Sequence, residues 1–423
     1  MKLSKTNQVK FSLIGDKSIA HRVIILAAIS KNKHIIKNFP SNDDVLTTLN
    51  ALSKFGLKYE TKMGITHIDS TKINFKKSIK IECNESGTSA RLLLGLFAGK
   101  NIHLTLNGSN SLLKRPMKRV IEPLEKFGAK IESNNNQLPL IINKSKYLEP
   151  YNYCLKIASA QVKACLILYA MQISGKSILR GEINTRDHLE RLLLHINYPI
   201  KIYKNKIEIE GNAIIEKKLK IKIPGDISSA AFLICASILK ADSSIIIKDV
   251  CINKYRIGFI DAAIKMGGNI SITNKRIRFG DEVGNIEVSY SKKLKGILIN
   301  ENKVVRMIDE VPLLSVLAIF AVGDTIIKGI SELKIKESNR VDAIIHNIEL
   351  MGGKAYEKDN ALIIKGNNKL HNTTINSYND HRIFMSFYIA NSILSKNYQC
   401  DKKDKSYTKS FPGFIEEIQK VLL

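Results

Sequence analysis

Residues able to do chemistry cluster in short runs where cations, small residues and carboxylates stand just ahead of apolar helical stretches. The first run is GDKSIAHR, residues 15–22. It leads into a helix predicted over 19–30, with Asp16 or Ser18 as N-cap. Helix N-terminal amides carry about half a positive charge, and Lys17, Ser18 and Arg22 add to it, which suits a phosphate or carboxylate ligand. A nucleotide P-loop would need its second glycine where Asp16 stands, so triphosphate binding is disfavoured. The run NESGTSAR, residues 84–91, repeats the device, with Gly87 letting a ligand approach the backbone. Downstream lies KRPMKR, residues 114–119, in which Arg115 is the candidate ligand and Lys114, Lys118 and Arg119 read as a solvated basic loop.

The second half of the chain holds RMIDEVP (306–312), KIKESNR (334–340), YNDHR (378–382) and YTKSFPGF (407–414). Asp309 and Glu310 sit ahead of an apolar helical stretch, where a charged side chain is costly unless paired or used. Arg340 and Arg382 offer the planar fork that matches carboxylate and phosphate. Asp380 and His381 are adjacent and no G-x-S-x-G elbow occurs, which is a weak basis for a Ser-His-Asp triad. The histidines form no HxxxH or HExxH pair and the six cysteines no CxxC, so no metal is expected and the thiols should be reduced.

These runs must be held by repeated elements. A helix end, a glycine stop and a short strand recur as LSKFGLKY, LEKFGAKI, LHINYPIKI, AIKMGGNI and IELMGGKA. Taking Phe55, Phe127, Tyr198, Met266 and Met351 as markers gives spacings of 72, 71, 68 and 85 residues. Alternating strands such as KSIKIEC and SSIIIKDV lie between the markers, with amphipathic helices such as TSARLLLGLFAG and RVDAIIHNIELM. Six α/β units of about 70 residues fill the chain and group as three plus three, with the substrate expected in a cleft between the two lobes.

Composition narrows the classes. A single core stops growing near roughly 250 to 300 residues, so 423 residues imply two or three domains. A hydrophobic fraction of 44% excludes disorder, and no apolar stretch approaches the roughly 18 to 20 residues of a membrane span. No apolar signal core follows Met1, so a soluble, cytoplasmic protein is expected. The net charge of +27 invites nucleic acid, yet only 13 of the 66 cations are arginine, and the abundance of Lys, Ile and Asn reads as coding bias. Small anionic substrates are the other use of positive charge.

Ten runs in order, GDKSIAHR, ESGTSAR, KRPM, SAQVK (159–163), TRDHLER (185–191), PGDISSA (224–230), IDEVP, KIKESNR, YNDHR and TKSFPGF, make the chain resemble the 5-enolpyruvylshikimate-3-phosphate synthases over essentially its whole length. These are the 3-phosphoshikimate 1-carboxyvinyltransferases of the shikimate pathway. The resemblance implies an inside-out α/β barrel of two lobes, each of three βαβαββ units. The first lobe would span 16–224, and the second 1–15 plus 225–423. It implies transfer of the enolpyruvyl group of phosphoenolpyruvate to the 5-hydroxyl of shikimate 3-phosphate, with no cofactor and a monomeric enzyme.

By the same resemblance Lys17 touches both substrates, and Ser18, Arg22, Ser159, Ala160, Gln161, Thr185, Asp309 and Lys336 contact shikimate 3-phosphate. Gly87, Arg115, Gln161, Arg340, Arg382 and Lys409 would hold phosphoenolpyruvate. Asp309 would be the base at the 5-hydroxyl and Glu337 the acid at the methylene carbon, with Lys17 also counted as catalytic. Glu85, Ala160, Glu332 and Asn339 depart from the commonest family residues, which bears on fine substrate contacts. One alternative is a UDP-N-acetylglucosamine enolpyruvyl transferase, expected to carry a reactive cysteine in a glycine-rich loop; none of the six cysteines lies in one. The other is a basic nucleic-acid-binding protein, for which no stacking-aromatic or groove-reading motif appears.

Overall fold

A computed structural model describes residues 8–76, 78–366, 369–395, 398–400 and 404–423. The chain divides into two compact units. The central unit comprises Gly15–Ile223 with Arg278–Asp281; the terminal unit comprises Met1–Ile14, Pro224–Ile277 and Glu282–Leu423.

The helices of the central unit are α1 (Lys17–Ser30), α2 (Asp43–Ser53), α3 (Gly87–Gly99), the single turn α4 (Asn110–Leu113), α5 (Lys118–Lys126), α6 (Ala160–Ala170) and α7 (His188–His195). Those of the terminal unit are α8 (Ile227–Leu239), α9 (Gly258–Met266), the single turn α10 (Glu301–Val304), α11 (Val311–Ile319), α12 (Arg340–Leu350), α13 (His381–Leu394) and α14 (Phe414–Leu422).

Among the described residues five four-stranded sheets share one plan. In the second, Ile79–Glu82 runs parallel to Leu104–Asn107, which pairs antiparallel with Gln137–Asn143. The same parallel-then-antiparallel order recurs in the other four. Two sheets take their edge strand from far away in sequence: Lys220–Lys222 lies beside Lys33–Lys37 in the central unit, and Val9–Ser12 beside Ser244–Cys251 in the terminal unit. The sixth repeat differs. Among its described residues it contributes α13 and α14, and no strand is assigned there.

Local chain chemistry explains the repeat. Gly56, Gly128, Gly267 and Gly352 all have φ between 80° and 105°, the left-handed conformation that ends a helix without a Cβ clash. In the third repeat Asn197 takes that position at φ 59°, so the residue equivalent to Phe127 is Ile196, not the expected marker Tyr198. Among the described residues four hairpins close on two-residue turns with both φ positive, at Met63-Gly64, Asn135-Asn136, Phe279-Gly280 and Asp359-Asn360. Such turns match the twist of the flanking strands.

Helices apolar on every face belong inside a core. In the terminal unit α8, α11 and α13 are buried nearly throughout and pack on one another. In the central unit α3 lies against α6, where a Cβ at Gly95 would collide with the Cys165 carbonyl and stand 2.9 Å from its Sγ. That glycine lets the two helices approach closely, and their first turns carry candidate ligands.

Candidate active site

In the central unit α1 starts at Lys17, two residues earlier than the sequence suggests, because Asp16 is the cap and accepts from the Ile19 N–H at 3.0 Å. Lys17 and Ser18 therefore occupy the first turn. Lys17 Nζ lies 2.9 Å from Asp44 Oδ2 on α2. Arg22, one turn on and buried, donates from Nη1 to the Ser18 carbonyl at 2.7 Å. Beneath them His21 Nδ1 meets Thr48 Oγ1 at 2.7 Å, Thr48 meets Ser89 Oγ at 2.7 Å, and Ser89 reaches Ser86 Oγ at 2.7 Å. Burial pushes the His21 imidazole from 6.5 down to about 3, against an opposing pull from Asp44, so it is neutral and links α1 to α2.

Gly87 is the first residue of α3, capped by Ser86, whose Oγ accepts from the Ser89 N–H. A Cβ on Gly87 would stand 2.8 Å from Arg91 Nη1 and 3.3 Å from Arg115 Nη1. Two guanidinium ends thus converge over this helix start. Arg91 Nη1 donates to Gln161 Oε1 at 3.0 Å, and Gln161 Nε2 donates to Thr88 Oγ1 at 3.1 Å. Ser159 caps α6, with Oγ accepting from the Val162 N–H, and Ala160 is that helix's first residue. Thr185 is buried, with its carbonyl accepting from Lys163 Nζ at 2.9 Å. Lys17, Gly87, Arg115 and Gln161 are thereby joined through contacts running from α1 to α6.

The terminal unit gathers its candidates around one buried guanidinium. Arg340, the first residue of α12, has its side chain only 2% exposed. It donates from Nε to Asp380 Oδ2 at 2.8 Å and from Nη2 to Glu337 Oε2 at 2.7 Å, with Nη1 3.4 Å from Asp309 Oδ1. Burial alone would lower its pKa; Asp380, Glu337 and Asp309 together outweigh burial and raise it. Lys336 Nζ lies 3.9 Å from Asp309. Arg382, in the first turn of α13, points Nη1 at Glu310 Oε1 at 3.6 Å and stacks over Phe232 at 5.9 Å. Glu310 accepts from Ser228 Oγ at 2.5 Å. Lys409 ends the short helix Ser406–Lys409, half-buried.

Several organising residues escaped sequence reasoning. Asp380, considered there as a triad member, instead accepts from Arg340, from Ser338 Oγ at 3.2 Å and from the Arg382 N–H at 2.8 Å, which makes it the anchor of both arginines. Asp44 and Arg91 carry no local signal beyond lying near helix starts. Asn339, a departure from the commonest pattern, keeps a structural role: Oδ1 accepts from the Val341 N–H at 3.2 Å as the cap of α12.

The family model for EPSP synthase (3-phosphoshikimate 1-carboxyvinyltransferase) matches residues 4–418. A 3-phosphoshikimate 1-carboxyvinyltransferase of Clostridium tetani is 41% identical over 89% of this chain and 86% of its own length. One of Persephonella marina is 37% identical over 99% of both. A solved EPSP synthase structure from Acinetobacter baumannii superposes with a TM-score of 0.84 at 31% identity, covering 98% of this chain and 95% of the other. With a family model that spans nearly the whole chain, and relatives this similar over nearly their full lengths, the chain belongs to the EPSP synthase family.

Proposed function

We propose that this chain performs its family's reaction through the two clusters described above. The enolpyruvyl group of phosphoenolpyruvate passes to the 5-hydroxyl of shikimate 3-phosphate, and phosphate leaves. Chemically, C3 of phosphoenolpyruvate must gain a proton while the hydroxyl oxygen attacks C2. The resulting tetrahedral adduct then loses phosphate as the C3 proton departs. An acid and a base are needed together. The observation that carries the reading is that two carboxylates, Glu337 and Asp309, lie at 2.7 and 3.4 Å from one guanidinium.

In this reading Asp309 takes the hydroxyl proton, assisted by Lys336. Glu337 delivers the proton to C3. A carboxylate held against Arg340 is an acceptor, so Glu337 becomes an acid only once released and protonated. The substrate carboxylate supplies the release: by engaging Arg340 it competes with Glu337 for Nη2. Arg382, Arg115, Gly87, Gln161 and Lys409 hold the remaining anionic groups of phosphoenolpyruvate. On the shikimate side Lys17, Ser18, Arg22 and the first turn of α6 at Ser159, Ala160 and Gln161 bind the phosphate and ring hydroxyls with Thr185. Both substrates are polyanions, and cations together with helix N-terminal amides offset that charge where water is excluded.

Phosphate release measured with shikimate 3-phosphate and phosphoenolpyruvate together, and absent when either is omitted, tests the reading. No release with both present overturns it. Among the described residues no helix is long and apolar enough to cross a membrane. A cytoplasmic monomer is the working form in this reading, checked by light scattering against the chain mass of 47.5 kDa.

A further inference from the structure

Lys163 is fully buried at 1% exposure, in the second turn of α6, and takes no part in the chemistry above. Its ammonium donates to the Ile183 carbonyl at 2.9 Å and the Thr185 carbonyl at 2.9 Å, and forms an ion pair with Glu190 Oε1 at 2.6 Å. Glu190, on α7, is 2% exposed. The 181–185 segment is tightly folded, with the Ile183 N–H donating to the Gly181 carbonyl at 2.7 Å and the Thr185 N–H to the Ile183 carbonyl at 2.8 Å. A buried carbonyl without a donor is costly. Lys163 Nζ donates to the Thr185 carbonyl and gives the Ile183 carbonyl a second donor.

The same helix presents Ser159, Ala160 and Gln161 one turn earlier, and the Lys163 N–H donates to the Ser159 carbonyl at 3.0 Å. One buried cation therefore ties two segments that contact the same substrate: the first turn of α6 and the loop bearing Thr185. A buried ion pair is weak evidence for stability, since well-packed apolar residues of similar volume usually serve as well. Geometry is what it supplies. Resting on the proposed function, we infer that Lys163, set by Glu190, is a positioning residue for shikimate 3-phosphate that holds Thr185 in register with Ser159 and Gln161.

The test compares the wild type, Lys163→Met and the double variant Lys163→Met/Glu190→Leu by shikimate 3-phosphate titration calorimetry, thermal unfolding and steady-state kinetics. The double variant removes both buried charges and should recover most of the melting temperature lost in Lys163→Met. Its dissociation constant for shikimate 3-phosphate should nevertheless remain at least tenfold weaker than wild type, with KM for that substrate rising in step and kcat changing less. Wild-type affinity in the double variant would overturn the inference, as would a fall in kcat with affinity unchanged. Should neither variant fold, Glu190→Gln, which keeps an acceptor of the same size, must weaken shikimate 3-phosphate binding at least threefold, and unchanged affinity refutes the inference. A wild type that binds no shikimate 3-phosphate would instead refute the functional reading.

Discussion

The first helix of the central unit and the first helix of the terminal unit begin alike and are used differently. Asp16 caps α1 by accepting from the Ile19 N–H, and Asp226 caps α8 by accepting from the Ser228 N–H. Counting from the caps, Lys17 corresponds to Ile227, His21 to Ala231 and Arg22 to Phe232. On α1 the cations stand on the helix itself, and Lys17 keeps about a fifth of its side chain exposed. On α8 the same positions are apolar and buried, and Ser228 is bonded to Glu310 at 2.5 Å and to Arg256 Nη2 at 2.9 Å. The terminal unit imports its charge from α12 and α13, already clamped by carboxylates. One helix start thus carries its cations itself, and the other stands beside a network of guanidinium and carboxylate groups.

The difference can be broken from the strongest side first. Asp309→Ala and Glu337→Gln should each lower kcat by about 10² to 10⁴ with folding retained, as loss of a general acid or base does. Full turnover in both variants would remove proton transfer from the terminal unit. Exchanging the two helix starts gives the next effect. Ile227→Lys places an unpaired ammonium in a site 3% exposed and should cost about 3 kcal/mol or more in denaturant unfolding. Lys17→Ile should leave stability within about 1 kcal/mol, since a part-exposed pair contributes little, while raising KM for both substrates.

Acid should single out α1, because α8 has alanine where α1 has His21. The folded pKa of His21, about 3, is below the unfolded 6.5, so on acidification the unfolded chain takes up the proton first. Stability present above pH 6.5 is therefore lost as pH falls from 6.5 toward 3, by about 2 kcal/mol at pH 5 from this residue. His34, pushed by burial to about 4, adds to the slope over the same range. Unfolding midpoints from pH 7 to pH 5 check this, and His21→Asn should flatten the dependence. The smallest effect is expected at Gly87→Ala. Its methyl meets the flexible ends of Arg91 and Arg115 closely and Leu112 Cδ1 at an ordinary 3.6 Å, so KM for phosphoenolpyruvate should rise a few-fold with the melting temperature nearly unchanged. A melting temperature lowered by several degrees would mean the helix start is packed, not open.

What the sequence alone determined is what the chain settles over a few neighbours. Left-handed glycines 56, 128, 267 and 352 end helices because only a residue without Cβ sits easily there, so the repeat is legible in the order of residues itself, apart from Asn197 standing in for a glycine. The capping aspartate of α1 and the helix start at Ser86 are legible because a short oxygen-bearing side chain accepts from an amide three residues on. The partners of the charges are not. Arg340 meets Asp380 across 40 positions, Arg91 meets Gln161 across 70, and Lys163 reaches carbonyls 20 and 22 residues away. No local preference encodes those distances. They depend on how closely helices pack, as at Gly95 against Cys165, and on the cost of leaving a buried charge or carbonyl without a partner. Tertiary structure therefore decided that Arg340 meets Asp309 and Asp380, whereas Glu337 is already its neighbour three residues back.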